Sequence, residues 1–147
     1  MTLLPYGLAF ALNANRVTSR IHAARDEGFD PWPVLKLFNP VGAAMWIATE
    51  LGEDGDTLFG LADLGFGCPE LGYFSLGEIR AVRLPFGLAI ERDAHFDPIG
   101  PVSVWTREAR RLGSIAAAEG VMRRRKYDRL LPDPDPRPDP GGPDKGS

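Results

Sequence analysis

The sequence predicts an α+β fold in which a small antiparallel sheet is flanked by N-terminal and C-terminal helices. Leucine recurs at every fourth residue over positions 4–12, which is the period of a helix face. The apolar runs at residues 34–40 and 43–51 are rich in strand-forming residues. The dipeptide Asp54-Gly55 follows the second run and is typical of a tight hairpin turn.

The N-terminal helix is expected to begin near Pro5, because the first helical turn tolerates proline. Asn13 and Asn15 are expected to interrupt it, and a second helical stretch is expected from Arg16 to Asp26. The glycine and the two prolines that follow end any helix.

The middle of the chain is interpreted as a hairpin followed by a short strand and a short helix. Residues 57–65 would pair with residues 43–51 across the turn. A further strand is expected around residues 73–74. Ser75 and Glu78 have the spacing of a capping box, which predicts a helix directly after Ser75.

Residues 88–96 alternate apolar and polar side chains and are interpreted as a half-buried strand. Glu91, Asp93 and His95 would then point to the same face, because side chains alternate along a strand with a period of two. This parity allows either an ordinary polar face or a shared site.

The C-terminal part is predicted to be mainly helical from Ser103 to about residue 129, with Ser103 as its cap. Gly113 and Gly120 are the points at which this helix would divide, since glycine costs about 1 kcal/mol relative to alanine in a helix. Residues 132–147 are rich in proline and aspartate and lack apolar side chains to offset the entropy of ordering. They are predicted to form a disordered tail.

A chain of 147 residues with 44% hydrophobic side chains has room for one core. We therefore divide it into one domain at 1–117, a basic helical extension at 118–131 and the tail at 132–147. Residues 1–106 hold 7 basic and 13 acidic side chains, whereas residues 107–131 hold 8 and 3. An acidic body thus carries a basic C-terminal helix.

A cytoplasmic location is expected. Cys68 is the single cysteine, so no intramolecular disulfide forms, and this is typical of a reducing compartment. The N-terminal apolar run has no basic residue before it, unlike a secretory signal. No apolar run approaches the roughly 20 residues that cross a bilayer, so no membrane partner is expected.

Several uncommon strings occur in order over residues 35–96: LKLFNP, WIATEL, DGDTLFGLADLG, PELGYFSL and ERDAHF. In these strings the chain resembles the bacterial family catalogued as domain of unknown function 2958, and the likeness extends over roughly residues 2–117. The resemblance implies a small intracellular bacterial protein, often encoded on plasmids or integrative elements. It implies no catalytic residue and no cofactor.

The acidic residues suggest one chemical hypothesis, a metal-assisted site. Its candidate metal ligands are Glu50, Asp63 and Glu91, and its candidate catalytic residues are Asp93 and His95. A histidine near neutral pKa beside a carboxylate could act as a general base. The spacing matches no metal motif, so polar strand faces are the preferred interpretation and no metal is expected.

Two surface hypotheses remain. The aromatic residues on the expected strands, Trp46, Phe59, Tyr73 and Phe74, are assigned to the core, with a ligand or peptide groove as the alternative. The four successive cations of the basic helix, Arg123, Arg124, Arg125 and Lys126, would contact nucleic acid or another partner, or simply form a solvated helix end.

The leading functional hypothesis is a non-enzymatic accessory or binding module, linked to plasmids or integrative elements and acting through a protein partner. The family resemblance and the lack of a complete catalytic motif favour it. The alternative is a metal-assisted hydrolase or nuclease that uses the clustered carboxylates and His95. A third hypothesis, a DNA-mimicking anti-defence protein, is disfavoured because the acidic residues form no dense run.

Overall fold

The computed structural model describes residues 2–132 and contains a five-stranded antiparallel sheet with helices on both faces. In chain order the elements are α1 (Tyr6–Ala24), β1 (Leu35–Phe38), β2 (Met45–Leu51), β3 (Thr57–Asp63), β4 (Glu70–Ser75), α2 (Leu76–Ala81), β5 (Glu91–Arg92), α3 (Val102–Leu112) and α4 (Ile115–Leu130). The strand order across the sheet is β4-β3-β2-β1-β5, and each neighbouring pair is antiparallel. The predicted α+β class is therefore confirmed.

The sheet separates two apolar cores. The first core lies between the sheet, α1 and α2, and its buried side chains include Leu12, Trp46, Leu58, Leu76 and Ile79. The second lies between the sheet, α3 and α4, and its buried side chains include Ile47, Leu61, Trp105, Ala118 and Met122. Because side chains alternate along a strand, the neighbours Trp46 and Ile47 belong to different cores.

Helix α1 is continuous, so the expected interruption at Asn13 and Asn15 is wrong. Asn15 Nδ2 donates a hydrogen bond to the backbone oxygen of Thr49 at 2.9 Å. Arg16 Nε donates to the backbone oxygen of Leu51 at 2.8 Å. These polar side chains dock α1 along β2, and this tertiary contact outweighs the weak helix propensity of asparagine.

The β2–β3 hairpin confirms the prediction from Asp54 and Gly55. Gly55 has a φ of 68°, which glycine adopts without strain. Asp54 Oδ1 accepts hydrogen bonds from the backbone N–H groups of Asp56 and Thr57 at 2.9 and 2.8 Å. Asp54 Oδ2 accepts a third from the Thr57 hydroxyl at 2.6 Å. The Asp54 side chain thus organises the turn.

The predicted cap of α2 is also present. Ser75 Oγ accepts a hydrogen bond from the backbone N–H of Glu78 at 3.1 Å. Its hydroxyl donates to Asp56 Oδ2 at 2.7 Å, and the backbone N–H of Gly77 donates to Asp56 Oδ1 at 2.6 Å. The hairpin turn and the start of α2 are therefore joined through one carboxylate.

The strand predicted over residues 88–96 is wrong in its length. Only Glu91 and Arg92 form strand β5, which pairs with Phe38 and Leu37 of β1. Asp93 Oδ1 accepts a hydrogen bond from the backbone N–H of His95 at 2.9 Å, and this local turn ends the strand.

The C-terminal helical region divides at Gly113, as predicted, where φ is 73°. Gly120 does not divide it and lies inside α4. Ser103 is not the N-cap, because α3 begins after Pro101. Instead the backbone N–H of Ser103 donates to Asp30 Oδ1 at 3.0 Å, so a carboxylate from a distant loop caps α3.

Helix α4 crosses the expected boundary between residues 117 and 118 without a break, and it buries Ala118 and Met122 in the second core. The predicted tail, apart from residue 132, lies outside the described residues. Within residues 2–132, no helix combines the length and the apolar character needed to cross a membrane.

Candidate functional site

An open groove of about 970 Å³ lies between the sheet and α3, beside strand β4. Phe59, Leu71 and Tyr73 form part of its floor, α3 forms one wall, and the end of α1 with the loop at 28–31 forms the other. Ligand pockets generally have volumes of about 300–1,000 Å³, so the groove is large enough to receive side chains of a partner.

The floor of the groove is aromatic and open to solvent. Phe59 and Tyr73 are direct partners across the β3–β4 pair, and their ring centroids lie 5.0 Å apart at an interplanar angle of 60°. Tyr73 is 78% exposed and Leu71 39% exposed. The assignment of Tyr73 to the core is therefore wrong, because β4 is an edge strand and is covered incompletely. Trp46, at 7% exposed, is a core residue as predicted.

The α3 wall of the groove is cationic. Arg107 and Arg110 lie one turn apart and both line the groove. The Arg107 side chain is 66% exposed, and its Nε lies 3.6 Å from Glu108 Oε1. The bond from Ser103 to Asp30 fixes the start of this helix and hence the backbone from which both arginine side chains extend.

Glu50 lies on the opposite side of the groove, at the end of β2. Burial raises the pKa of the Glu50 carboxyl above its usual range, although Arg16, a hydrogen bond with Ser19 and Arg20 act in the opposite direction. The groove therefore contains cations along one wall and a partly desolvated carboxyl at the other.

Strand β4 borders the groove and forms one edge of the sheet. Within residues 2–132, no other segment pairs with its outer side. An unpaired edge presents backbone donors and acceptors that an added strand can use. The aromatic floor and the free edge thus lie side by side.

The structure does not bring the predicted metal ligands together. Glu50 pairs with Phe59 near one end of the β2–β3 ladder, whereas Asp63 pairs with Met45 at the other end. The two positions are five residues apart along β2, or about 16 Å at the usual rise per residue. Among residues 2–132, no group of three or more histidine, cysteine or acidic side chains could hold a metal ion.

Asp63 has an architectural contact instead. It is only 3% exposed. Its Oδ2 accepts a hydrogen bond from the backbone N–H of Ile115 at 2.9 Å, and its Oδ1 accepts one from Gly65 at 2.8 Å. The carboxylate therefore stabilises the first turn of α4 and fixes it to the sheet.

The remaining candidates lie in or next to β5, at the opposite edge of the sheet from β4. Glu91 is in β5, and His95 is exposed in the turn that follows. Asp93 Oδ2 lies 3.3 Å from the ammonium nitrogen of Lys36, which is nearly buried. The structure thus places Asp93 in an ion pair within the fold. Asp93 and His95 lie after the end of β5, so they do not share a strand face as predicted.

The basic segment of α4 is exposed. Three of its four cations nevertheless contact carboxylates, one in α4 itself, one in α3 and one in the loop before α3. Arg123 pairs with Glu119 at 3.6 Å and Arg125 with Glu108 at 3.2 Å. Lys126 pairs with Asp97, and the same contact lowers the pKa of the Asp97 carboxyl. Arg124 is exposed as well. Nucleic-acid contact by this segment stays a prediction.

A family model described as "Protein of unknown function (DUF2958)" matches residues 3–116, which cover the sheet, α1 to α3 and the groove. This chain belongs to the DUF2958 family. No curated protein and no solved structure gives a significant match to it.

The sequence of this DUF2958 protein indicates an aromatic groove only as the alternative to a core, and of the four aromatic residues considered, Phe59 and Tyr73 line the groove. The Asp54-Gly55 turn fixes the register between β2 and β3. Strands β3 and β4 are joined by a longer connection, so no turn motif in the sequence predicts the register that pairs Phe59 with Tyr73. The sequence places Arg107 and Arg110 only within the basic stretch 107–131, because the position of α3 relative to the sheet depends on tertiary contacts.

Proposed function

We propose that this protein is a non-enzymatic binding module that takes an extended segment of a partner protein along β4. The backbone of the segment would pair with the free edge of the strand, and alternate side chains would enter the groove. Strand addition of this kind obtains affinity from main-chain hydrogen bonds and specificity from pockets beside the edge. The single observation that carries the proposal is the exposed aromatic floor directly beside an unpaired strand.

The floor favours an apolar anchor in the partner. Tyr73 and Leu71 expose apolar surface, and Phe59 supports the Tyr73 ring from the next strand. Aromatic side chains are enriched among the residues that dominate binding energy at protein interfaces. An aliphatic or aromatic side chain of the partner would displace water from this surface and gain free energy.

The walls favour an acidic residue next to that anchor. Arg107 and Arg110 present two guanidinium groups one helical turn apart, which suits bidentate hydrogen bonds to a carboxylate. We therefore propose a partner segment in which an apolar residue is flanked by aspartate or glutamate. Proximity of Glu50 on the other wall disfavours a second acidic group there.

The accessory role on plasmids or integrative elements, and the bacterial cytoplasm as its location, are supported by the family resemblance and form part of this proposal. The hydrolase or nuclease alternative has less support, because its carboxylates are spread over the sheet. The nucleic-acid alternative has less support, because Arg123, Arg125 and Lys126 each already pair with a carboxylate of this chain.

Selection from a displayed library of random peptides tests the proposal. The full chain is expected to enrich peptides with an apolar residue beside acidic ones. Tyr73→Ser, and separately the double variant Arg107→Glu with Arg110→Glu, should each weaken binding of an enriched peptide by about tenfold or more.

Phe66→Ser provides a matched control, because Phe66 is 82% exposed and lies outside the groove. It should leave the affinity unchanged. Enrichment of no peptide, or equal binding by the groove variants and by the wild type, would contradict the proposal. Circular dichroism establishes that each variant is folded.

A further inference from the structure

The outward face of α1 carries an apolar stripe formed by Tyr6, Phe10, Ala14, Val17 and Ile21. Their spacing of three and four residues places them on one side of the helix. Tyr6 is 96% exposed, Phe10 77%, and Val17 and Ile21 48% each. Because the opposite face of α1 already packs on the sheet, this helix is apolar on both sides, which is typical of a helix buried on both sides.

We infer that a second copy of this chain covers the stripe, with the two α1 helices antiparallel across a two-fold axis at Ala14. The other four residues of the stripe lie almost evenly about Ala14, because two are four and eight positions before it and two are three and seven positions after it. In the antiparallel pair, Phe10 meets Val17 of the second copy and Tyr6 meets Ile21. Large aromatic side chains thus face smaller aliphatic ones, and the alanine at the axis allows the helices to approach.

The charges along α1 agree with this pairing. The stripe contains no charged side chain, so two identical stripes meet without repulsion. The first turn of α1 has no acidic residue, and its N-cap Pro5 gives no side-chain hydrogen bond. In the antiparallel pair, the exposed Asp26 and Glu27 that follow α1 in one copy lie near this electropositive first turn in the other.

The available area is sufficient for a modest dimer. Large aromatic side chains bury about 150–250 Å² each, so the exposed parts of Tyr6, Phe10, Val17 and Ile21 amount to about 500 Å² per copy. Burial of the stripe in both copies removes about 1,000 Å² of surface from water, which is near the lower limit of the area that specific interfaces bury.

Dimerisation through the stripe leaves the groove accessible. Ser19, which lines the groove, lies about 200° around the helix from Val17 at 100° per residue. The stripe residues do not line the groove, so the two proposals are tested by different variants and either one can fail without the other.

Charge exchange at residue 14 tests the two-fold arrangement in the full chain. Ala14→Arg and Ala14→Glu each place two like charges at the axis, and each should raise the dimer dissociation constant by about tenfold or more. An equimolar mixture of the two variants should recover dimers with nearly the wild-type dissociation constant, because opposite charges then meet. Sedimentation equilibrium measures all three samples.

Ala117→Arg is the matched control, because Ala117 is an exposed helical alanine on α4. It should dimerise like the wild type. Phe10→Ser should weaken the dimer without adding charge. The inference is overturned if the wild type is monomeric up to about 0.5 mM, a concentration that populates even weak dimers. It is also overturned if Ala14→Arg dimerises normally, or if the mixture of the two Ala14 variants fails to recover dimers.

Discussion

Lys36 and Glu119 form a nearly buried ion pair that joins β1 to α4. The Lys36 Nζ lies 2.9 Å from both carboxylate oxygens of Glu119, and the two side chains are 8% and 12% exposed. Asp93 approaches the same ammonium group at 3.3 Å, and Arg123 lies 3.6 Å from Glu119. The last helix is therefore tied to the sheet by charge as well as by apolar packing.

Removal of one charge of this ion pair should lower the free energy of unfolding. Lys36→Met leaves the Glu119 carboxylate nearly buried without its principal partner, and we expect the free energy of unfolding to fall by about 3 kcal/mol. The double variant Lys36→Met with Glu119→Met should recover most of this loss, because the nearly buried carboxylate is removed together with its partner, and the Asp93 carboxylate that also contacted Lys36 is partly exposed to solvent. Urea denaturation measures both. If the free energy of unfolding of the single variant falls by less than about 0.5 kcal/mol, the ion pair behaves as an exposed one and is not buried as described.

The sequence predicts a contact when the interacting residues are close together along the chain. In the Asp54-Gly55 turn and in the Ser75 cap, each contact joins residues no more than three positions apart, and the sequence predicts both features. Lys36 and Glu119 are 83 residues apart, and no local pattern links them. For the same reason the sequence indicates a basic C-terminal helix and aromatic residues on strands, but it does not show that Tyr73 and the α3 arginines line one groove.

Gly60 should tolerate no side chain. A Cβ at this position would lie 1.9 Å from the backbone oxygen of Ile47 and 2.7 Å from the Cα of Ala48. Because these are backbone atoms beside the irregular β2–β3 register, we expect Gly60→Ala to lower the free energy of unfolding by about 3 kcal/mol or more.

The control for this substitution is the direct partner of Gly60 on β4. A Cβ on Gly72 meets nothing within 4 Å, so Gly72→Ala should change stability by less than about 1 kcal/mol. Thermal unfolding of the two variants compares them in one experiment. Equal losses in both variants would mean that β2 and β3 do not approach as closely as described.

The Asp54 side chain should make stability depend on pH in the acid range. Its hydrogen bonds with the Thr57 hydroxyl and with the backbone of Thr57 and Asp56 lower the pKa of Asp54 from 3.8 to about 2. A depressed pKa in the folded state stabilises the fold fully above the unfolded value. That contribution is lost as pH falls from 3.8 towards about 2.

We therefore expect Asp54→Asn to unfold at a lower temperature than the wild type at pH 7. The difference should diminish as pH falls through the same interval. Differential scanning calorimetry over pH 2–7 measures it. A difference that stays constant over this range would show that the Asp54 charge does not organise the hairpin turn.

Site-specific photo-crosslinking from residue 73 tests the proposed groove most directly. A benzophenone amino acid replaces Tyr73 in the full chain, which is expressed in its native cells and irradiated, and the cross-linked segment is sequenced by mass spectrometry. We expect one partner segment that has an apolar residue beside acidic ones, and we expect the cross-link to disappear when Arg107 and Arg110 are both changed to glutamate. A cross-link that persists in that double variant, or that forms equally from the same probe at Phe66, would contradict binding in the groove.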